Sequence, residues 1–211
     1  SEVGGTVGDI EGLPFYEAIR QLIMDKGKMN TLVIHTTLLP YIRAAGEMKT
    51  KPTQHSVMRL REIGLEPDML VCRTENGNRL SRKLKKKLGL FCNVETDSVF
   101  ESPDVDTIYE IPLVLHDQKF DRIVTKRLGL RRRFSHSNIK SLQSSINKYK
   151  DSKYAVSIAI CGKYNTLQDA YKSIVEAFIH SGIAHSAKVE VKWVDTEKID
   201  SIESASKELG G

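Results

Sequence analysis

The sequence predicts an α/β protein with an open, mostly parallel sheet and helices on both faces, followed by the start of a second αβ domain. Short apolar runs rich in β-branched residues alternate along the chain with segments whose apolar residues recur at helical spacing. Apolar and charged residues make up 40% and 28% of the chain, which is typical of a soluble globular protein. With 211 residues, the chain is long enough for one large domain or two ordinary ones.

A helix and a strand are predicted first, after a glycine-rich segment. Pro14 stands where a first-turn proline belongs, and a helix is predicted from there to about Lys26. Residues 31–35 form a short, mainly apolar run rich in β-branched residues and predict a buried strand. The apolar residues of the helix recur at helical spacing and are Phe15, Ala18, Ile19, Leu22 and Ile23.

Further helices and strands complete the first domain. Pro52 sets up a helix that ends near Gly64, and a basic helix is predicted from about Arg79 to Leu88. Strands are predicted at residues 68–73, 90–94 and 108–111. In an open sheet of this kind, ligands bind at the carboxyl ends of the strands.

The pattern changes near residue 130. Domains are predicted at residues 1–130 and 154–211, and residues 131–153 are predicted to form a helical or extended linker between them. In the second domain, strands are predicted at residues 155–162 and 188–195, and helices at 169–181 and 198–209. Two strand–helix units are few for a sheet of typical size.

Residues 1–11, the opening segment, combine three glycines with three carboxylates, Glu2, Asp9 and Glu11. Glycines permit positive φ angles and close approach of a ligand, and carboxylate oxygens suit Mg²⁺. The composition therefore fits a metal or nucleotide site. It fits equally well a loop before a helix whose acidic residues only cap that helix, and both interpretations stay open at this point.

Residues 49–54, the lysine segment, form the stronger polar cluster. Lys49 and Lys51 are one residue apart and are able to converge on one polyphosphate, with hydroxyl and amide donors beside them. The helix that begins near Pro52 adds N-terminal amides, which attract anions. The alternative is a surface loop with ordinary lysines.

Several classes of protein are excluded or disfavoured. The net charge of +5 lies partly in basic runs at residues 79–87 and 131–133, but no aromatic side chain is interleaved with them, so nucleic acid is not expected as a partner. No apolar run approaches the length of a membrane span, and no leader peptide is recognisable, so a cytoplasmic location is expected. Cys72, Cys92 and Cys161 are expected to be reduced thiols.

Longer stretches of the sequence resemble the CTP synthase family. Motifs of its synthetase domain are similar to EVGGTVGDIE at residues 2–11, KTKPTQHSV at 49–57, LFCNV at 90–94 and DVDTIY at 104–109. GKY at 162–164 with DAYKS at 169–173 resembles the start of its glutaminase domain. The resemblance implies a Rossmann-like, P-loop NTPase-like sheet, followed by the start of a flavodoxin-like class I glutaminase domain.

The resemblance also implies an activity. In this family, ATP phosphorylates the 4-oxygen of UTP, and ammonia from glutamine displaces the phosphate to give CTP. Mg²⁺ is the expected cofactor, GTP the expected activator, and a homotetramer the expected assembly of the full-length enzyme. Nucleoside triphosphates are the expected partners, with neither nucleic acid nor a membrane.

The family motifs imply a role for individual residues. Glu2 is expected to bind Mg²⁺, and Arg73 and Val105 are expected to lie near ATP. Lys87 is aligned with a nucleotide-binding lysine, although Lys85 or Lys86 fits that role through a longer preceding loop. The remaining residues are expected to bind UTP or CTP: Asp9, Ile10, Glu11, Lys49, Thr50, Lys51, Pro52, Thr53 and Gln54.

Two parts of the family pattern are missing. The phosphate-binding glycine loop and the G-x-C-x-G glutaminase elbow have no counterpart in the sequence, and Cys161 has no elbow around it. No catalytic residue is therefore assigned, and the chain is expected to be an internal, inactive fragment. The alternatives are another ATP-dependent amidoligase, or a non-catalytic nucleotide-binding or assembly module.

Overall fold

A computed structural model describes the chain except for Asn76, residues 131–135, Thr166, and residues 210 and 211. The chain divides into two compact units, Ser1–Phe134 and Ser135–Gly211. No helix in the described part of either unit is both long and apolar enough to cross a membrane.

The first unit contains five helices and five strands among its described residues. Short 3-10 turns connect several of them, including Ile10–Gly12 and Ile108–Glu110. The helices and strands in chain order are α1 Leu13–Lys26, β1 Ile34–Leu38, β2 Tyr41–Ile42, β3 Glu47–Met48, α2 Lys51–Glu62, β4 Met69–Thr74, α3 Arg82–Cys92, β5 Val99–Pro103, α4 Ile111–Asp117 and α5 Phe120–Arg127.

A three-stranded parallel sheet lies at the centre of this unit, with the strand order β1-β4-β5. Its parallel arrangement and flanking helices confirm the predicted α/β class. β2 and β3 form a separate antiparallel pair. The side chains of β4 and of the flanking helices fill one core cluster, which contains Leu39, Val57, Leu70, Cys72, Leu80, Leu88, Cys92, Val94 and Val99.

Two predicted strands are wrong. Residues 90–92 belong to α3, because the buried Leu88 and Cys92 lie four residues apart on one helix face. Asn93 then ends the helix in the left-handed conformation, with φ 56°. Residues 108–110 form a 3-10 turn, and Ile111 begins α4, where Pro112 occupies the first turn.

The sequence pattern also missed or misplaced other elements. β5, α4 and α5 were not predicted, and β1 begins at Ile34 rather than at Thr31. β5 carries the sequence VFESP, in which a charged residue and a proline interrupt the apolar run. Such a run has no clear period, so its strand conformation depends on its pairing with β4.

The second unit is smaller. Its elements are α6 His136–Lys150, β6 Tyr154–Gly162, α7 Lys172–His185, β7 Ala187–Asp195 and α8 Ile202–Leu209. β6 and β7 pair in parallel along all nine residues. α6 lies within the segment that was predicted to be a linker and packs against α7. The predicted domain boundaries at 130 and 154 stay predictions.

Candidate functional site

The carboxyl ends of β1, β4 and β5 form one edge of the sheet, called here the carboxyl edge. The backbone N–H of Leu39 donates to the carbonyl of Arg73 at 2.9 Å, and the N–H of Asp104 donates to the carbonyl of Thr74 at 3.1 Å. Arg73 is exposed there, and Val105 follows Asp104. The structure therefore brings Arg73 and Val105 to the same edge.

The lysine segment is attached to this edge. The N–H of Lys49 donates to the carbonyl of Pro40 at 2.9 Å, and Pro40 directly follows Leu39, whose N–H is bonded to β4. Lys51 is the first residue of α2, so Lys51 lies at the positive end of the helix dipole. Lys51 is exposed, and Lys49 is partly exposed although its ammonium group pairs with Glu47, so both side chains reach solvent.

The polar side chains between and after the lysines point inward. Thr53 is fully buried, and its hydroxyl lies 3.0 Å from the hydroxyl of Thr37 on β1. Gln54 donates from Nε2 to the hydroxyl of the buried Thr50 at 3.1 Å. These side chains hold α2 against β1, so the segment presents two ammonium groups and first-turn amides, with Pro52 exposed beside them.

Glu47 and Lys87 add charge beside the lysine segment. Glu47 forms an ion pair with Lys49. The hydrogen bond and the charge of Lys49, and to a smaller extent the charge of Lys87, lower the pKa of the Glu47 carboxyl. Lys85 instead donates to Oε1 of Gln118 at 3.1 Å. Lys87 thus lies near the lysine segment, whereas Lys85 is turned toward α4 and α5.

The opening segment packs on α1 and α2. Val3 and Val7 contact a cluster of Tyr16, Leu60 and Leu65. Gly8, at φ 99°, lies so close to Arg59 that a Cβ there would be 2.6 Å from the Arg59 Nε. Arg59 is eight residues beyond Lys51, about 12 Å along an α-helix. The opening segment and the lysine segment therefore meet α2 at different places.

The Asp9 carboxylate makes a hydrogen bond within its own loop. Its Oδ2 accepts from the N–H of Thr6 at 2.9 Å, and the Asp9 N–H donates to the Thr6 carbonyl at 3.0 Å. Glu2, Ile10 and Glu11 are exposed, and Ile10 is 82% exposed. Ile10 and Glu11 belong to the 3-10 turn that precedes α1, so they lie with Asp9 on one short stretch.

The described residues contain no group of three or more His, Cys, Asp or Glu side chains that would enclose a metal ion. Mg²⁺, however, commonly takes one or two carboxylates and completes its shell with waters and phosphate oxygens. The exposed carboxylate of Glu2 fits such a site. A nucleotide-dependent Mg²⁺ site is therefore compatible with the residues present, whereas a closed protein cage is not found among them.

The sequence analysis missed a buried polar cluster behind the carboxyl edge. Glu101 on β5 is 8% exposed, and Oε1 of its carboxylate accepts from the Thr74 hydroxyl and from the Leu80 N–H, both at 3.1 Å. Gln118 brackets the backbone of Glu101, accepting from its N–H at 2.9 Å and donating to its carbonyl at 2.7 Å. The only sequence signal was a carboxylate inside an apolar strand.

Comparison with known proteins gives consistent results along the chain. A family model described as the CTP synthase N-terminus matches residues 1–130. The chain is 51% identical over 201 residues to a CTP synthase of Chloroherpeton thalassium, covering 95% of the chain and 36% of that relative. It is 48% identical over 213 residues to a CTP synthase of Clostridium kluyveri, covering 100% of the chain and 39% of that relative. The chain thus spans little more than a third of the relatives' length.

Proposed function

The chain belongs to the CTP synthase family, and from this premise we propose that it carries nucleotide-binding residues of an enzyme that converts UTP to CTP. The observation that carries the proposal is the pair of accessible lysines, Lys49 and Lys51, at the N-terminus of α2 beside the carboxyl edge. Two nucleoside triphosphates bring about eight negative charges into such a site, which need compensating cations.

The proposed reaction has two steps. The γ-phosphoryl group of ATP passes to the 4-oxygen of UTP, and ADP leaves. Ammonia from glutamine then attacks carbon 4, and inorganic phosphate leaves as CTP forms. Glu2 would hold Mg²⁺, which would supply positive charge to neutralise the phosphates. The chain's own residues bind and orient the two nucleotides, and no residue of the chain is assigned a catalytic role.

Each group of residues has a proposed ligand. Lys49 and Lys51, with the first-turn amides of α2, hold the triphosphate of UTP or of CTP. Lys87 adds a third positive charge for the triphosphate, because its charge contributes to lowering the pKa of Glu47, which pairs with Lys49. Arg73 and Val105 bind ATP at the carboxyl edge. The pyrimidine nucleotide is contacted by the acidic stretch Asp9, Ile10 and Glu11.

We also propose that the 211-residue chain by itself neither forms CTP nor hydrolyses glutamine. Support comes from the sequence: it contains no phosphate-binding glycine loop, which bears on CTP formation, and no cysteine in a G-x-C-x-G elbow, which bears on glutamine hydrolysis. Cys161 is exposed at the end of β6 rather than on a strand-to-helix turn. Incubation of the purified chain with UTP, ATP, Mg²⁺ and ammonia should yield no CTP by chromatography; measurable CTP would overturn this proposal.

The assembly, regulation and location of the enzyme are proposed at the level of the family. A homotetramer is the proposed assembly of the full-length enzyme, GTP its proposed activator and the cytoplasm its proposed location. The second candidate, another ATP-dependent amidoligase, predicts a different acceptor. Its weakness is that the relatives compared above are named CTP synthases.

The lysines provide the direct test of binding. In titrations of the chain with UTP or CTP, Lys49→Ala and Lys51→Ala should each weaken binding by about 1.5–3 kcal/mol, since each removes a charge-assisted hydrogen bond to phosphate. Lys26→Ala, at the exposed end of α1, is the matched control and should leave the affinity unchanged. Equal affinity of the wild type and both segment variants would remove the lysine segment from the site.

A further inference from the structure

Glu101 is a charged residue in an environment where an apolar side chain would be expected. Its strand neighbours Val99 and Phe100 are each 1% exposed, and Glu101 itself is 8% exposed. Burying a carboxylate is costly unless hydrogen bonds and nearby cations compensate for the lost water. Here both hydrogen bonds come from one segment, which begins at Thr74 and ends at Leu80. The Glu101 carboxylate therefore joins Thr74, at the end of β4, to Leu80, shortly before α3.

Cations and an amide complete the surroundings of Glu101. The Arg79 guanidinium lies 3.8 Å from the second carboxylate oxygen. Lys85 is half-buried, and its Nζ donates to Oε1 of Gln118. The same oxygen accepts from the N–H of Glu101. Burial lowers the pKa of Lys85, and the charge of Glu101 opposes that shift. The carboxylate thus joins β4 to the residues just before α3, whereas the backbone of Glu101 joins β5 to Gln118 between α4 and α5.

Thr74 links this cluster to the carboxyl edge. Its hydroxyl donates to Glu101, and its carbonyl accepts from the N–H of Asp104, the residue before Val105. Arg73 directly precedes Thr74 in β4. Arg73 is therefore next in the chain to Thr74, which is bonded to Glu101. Val105 is next to Asp104, which is bonded to Thr74.

We propose that Glu101 is a positioning residue for ATP: it fixes Thr74 and Leu80, and through Thr74 the places of Arg73 and Val105. Glu101 does not touch the nucleotide. The lysine segment is also held by a contact that does not involve Glu101 or β4, from Thr53 to Thr37 on β1, so UTP binding should depend on Glu101 less than ATP binding does. The inference rests on the proposed function, because it assumes that ATP binds at Arg73 and Val105.

The test separates loop order, ATP binding and UTP binding in the 211-residue chain. Glu101→Ala removes the acceptor for both donors, whereas Glu101→Gln keeps an oxygen there and removes the charge. Glu66→Gln, an exposed carboxylate before β4, is the matched control. The measurements are hydrogen exchange at the Leu80 and Asp104 amides, the melting temperature, and separate titrations with ATP and with UTP in the presence of Mg²⁺.

For Glu101→Ala, we expect exchange at Leu80 to become about tenfold faster and the Kd for ATP to rise about tenfold, as for the loss of one charge-assisted hydrogen bond. The Kd for UTP should rise by much less. Glu101→Gln should also speed exchange at Leu80 and raise the Kd for ATP, each by less than the alanine variant does. If Glu101→Ala does not fold, the glutamine variant provides the test. Glu66→Gln should match the wild type.

Three results would overturn the proposal. Faster exchange at Leu80 with an unchanged Kd for ATP would show that Glu101 only stabilises the fold. An equal loss of ATP and UTP affinity would show a general loss of structure. Absence of ATP binding by the wild type would overturn the ATP assignment of the proposed function and this inference with it. The wild-type titration therefore distinguishes failure of the proposed function from failure of this inference alone.

Discussion

The two units contain parallel strands of similar composition whose environments differ. In the first unit, β4 is paired with β1 on one side and β5 on the other, and four of its six residues are buried. In the second unit, β6 is longer, yet none of its nine residues is buried. Among the described residues, β6 pairs with β7 alone.

The difference shows what a parallel strand needs. Such strands are apolar on both faces and are stable when neighbouring strands and helices cover them. The first unit meets this requirement around β4, and the buried Glu101 with its hydrogen bonds lies behind the edge of that sheet. A precise ligand site therefore depends on a covered sheet, and the predictions below test that contrast between the units.

Cysteine reactivity should show the largest contrast. Burial is the main cause that raises the pKa of Cys72 in the first unit from 9.0 to about 12, and burial also raises the pKa of Cys92. The raised pKa keeps the thiolate fraction of Cys72 very low at neutral pH, and burial keeps reagents away from its sulfur. Cys161 in the second unit is exposed. At neutral pH a thiol reagent should therefore modify one cysteine per native chain.

Mass spectrometry of the labelled chain identifies the modified residue. In Cys161→Ser, fast labelling should disappear, and in denaturant all remaining cysteines should react. Labelling of Cys72 in the native chain at the rate of Cys161 would contradict the burial of the first core.

Core truncation should give the next largest effect. Leu70 on β4 is fully buried, and Leu70→Ala should destabilise the first unit by about 2–5 kcal/mol, through lost burial and a residual cavity. Val156 on β6 is 47% exposed, and Val156→Ala should cost about 0.5 kcal/mol or less. Denaturant titrations read out by Cys72 labelling report on the first unit.

The lone tryptophan provides the second probe. Trp193 on β7 packs edge-to-face on Tyr171, at 5.6 Å between ring centroids, so its fluorescence reports on the second unit. Equal costs of the two alanine substitutions, each measured with the probe of its own unit, would refute the difference in coverage between β4 and β6.

A histidine should give the smallest effect, as a dependence of stability on pH. Burial lowers the pKa of His35 in β1 below its ordinary value of 6.5. As the pH falls below 6.5, the unfolded chain takes up a proton that folded His35 does not. The stability of the first unit should therefore decrease toward acid, by at most about 1.4 kcal/mol per pH unit for one proton.

The check is the melting temperature of the first unit between about pH 7 and pH 5, where an ordinary histidine titrates. His35→Gln should flatten the profile, whereas His185→Gln, at an exposed position in the second unit, should leave it unchanged. Superimposable profiles of the wild type and His35→Gln would contradict the prediction.

Much of the architecture follows from local patterns. The helix predicted from Pro14 to about Lys26 is observed as Leu13–Lys26, and Pro52 lies in the first turn of α2, because first-turn prolines and helical periodicity act within a few residues. Residues 90–94 illustrate the limit. Their apolar run fits a strand or a helix, and the packing of Leu88 and Cys92 in the core decides for the helix.

The sequence by itself determined the chemistry available to the site: two lysines one residue apart, a helix start beside them, and carboxylates among glycines. Only the tertiary structure decided how these groups are used. It turned Thr53 into the core, placed Gly8 of the opening segment beside Arg59, about two helical turns along α2 from Lys51, and bonded Leu80 to Glu101. The physical reason is that side-chain type is fixed residue by residue, whereas burial and hydrogen-bond partners depend on segments far apart in the chain that meet only in the folded state.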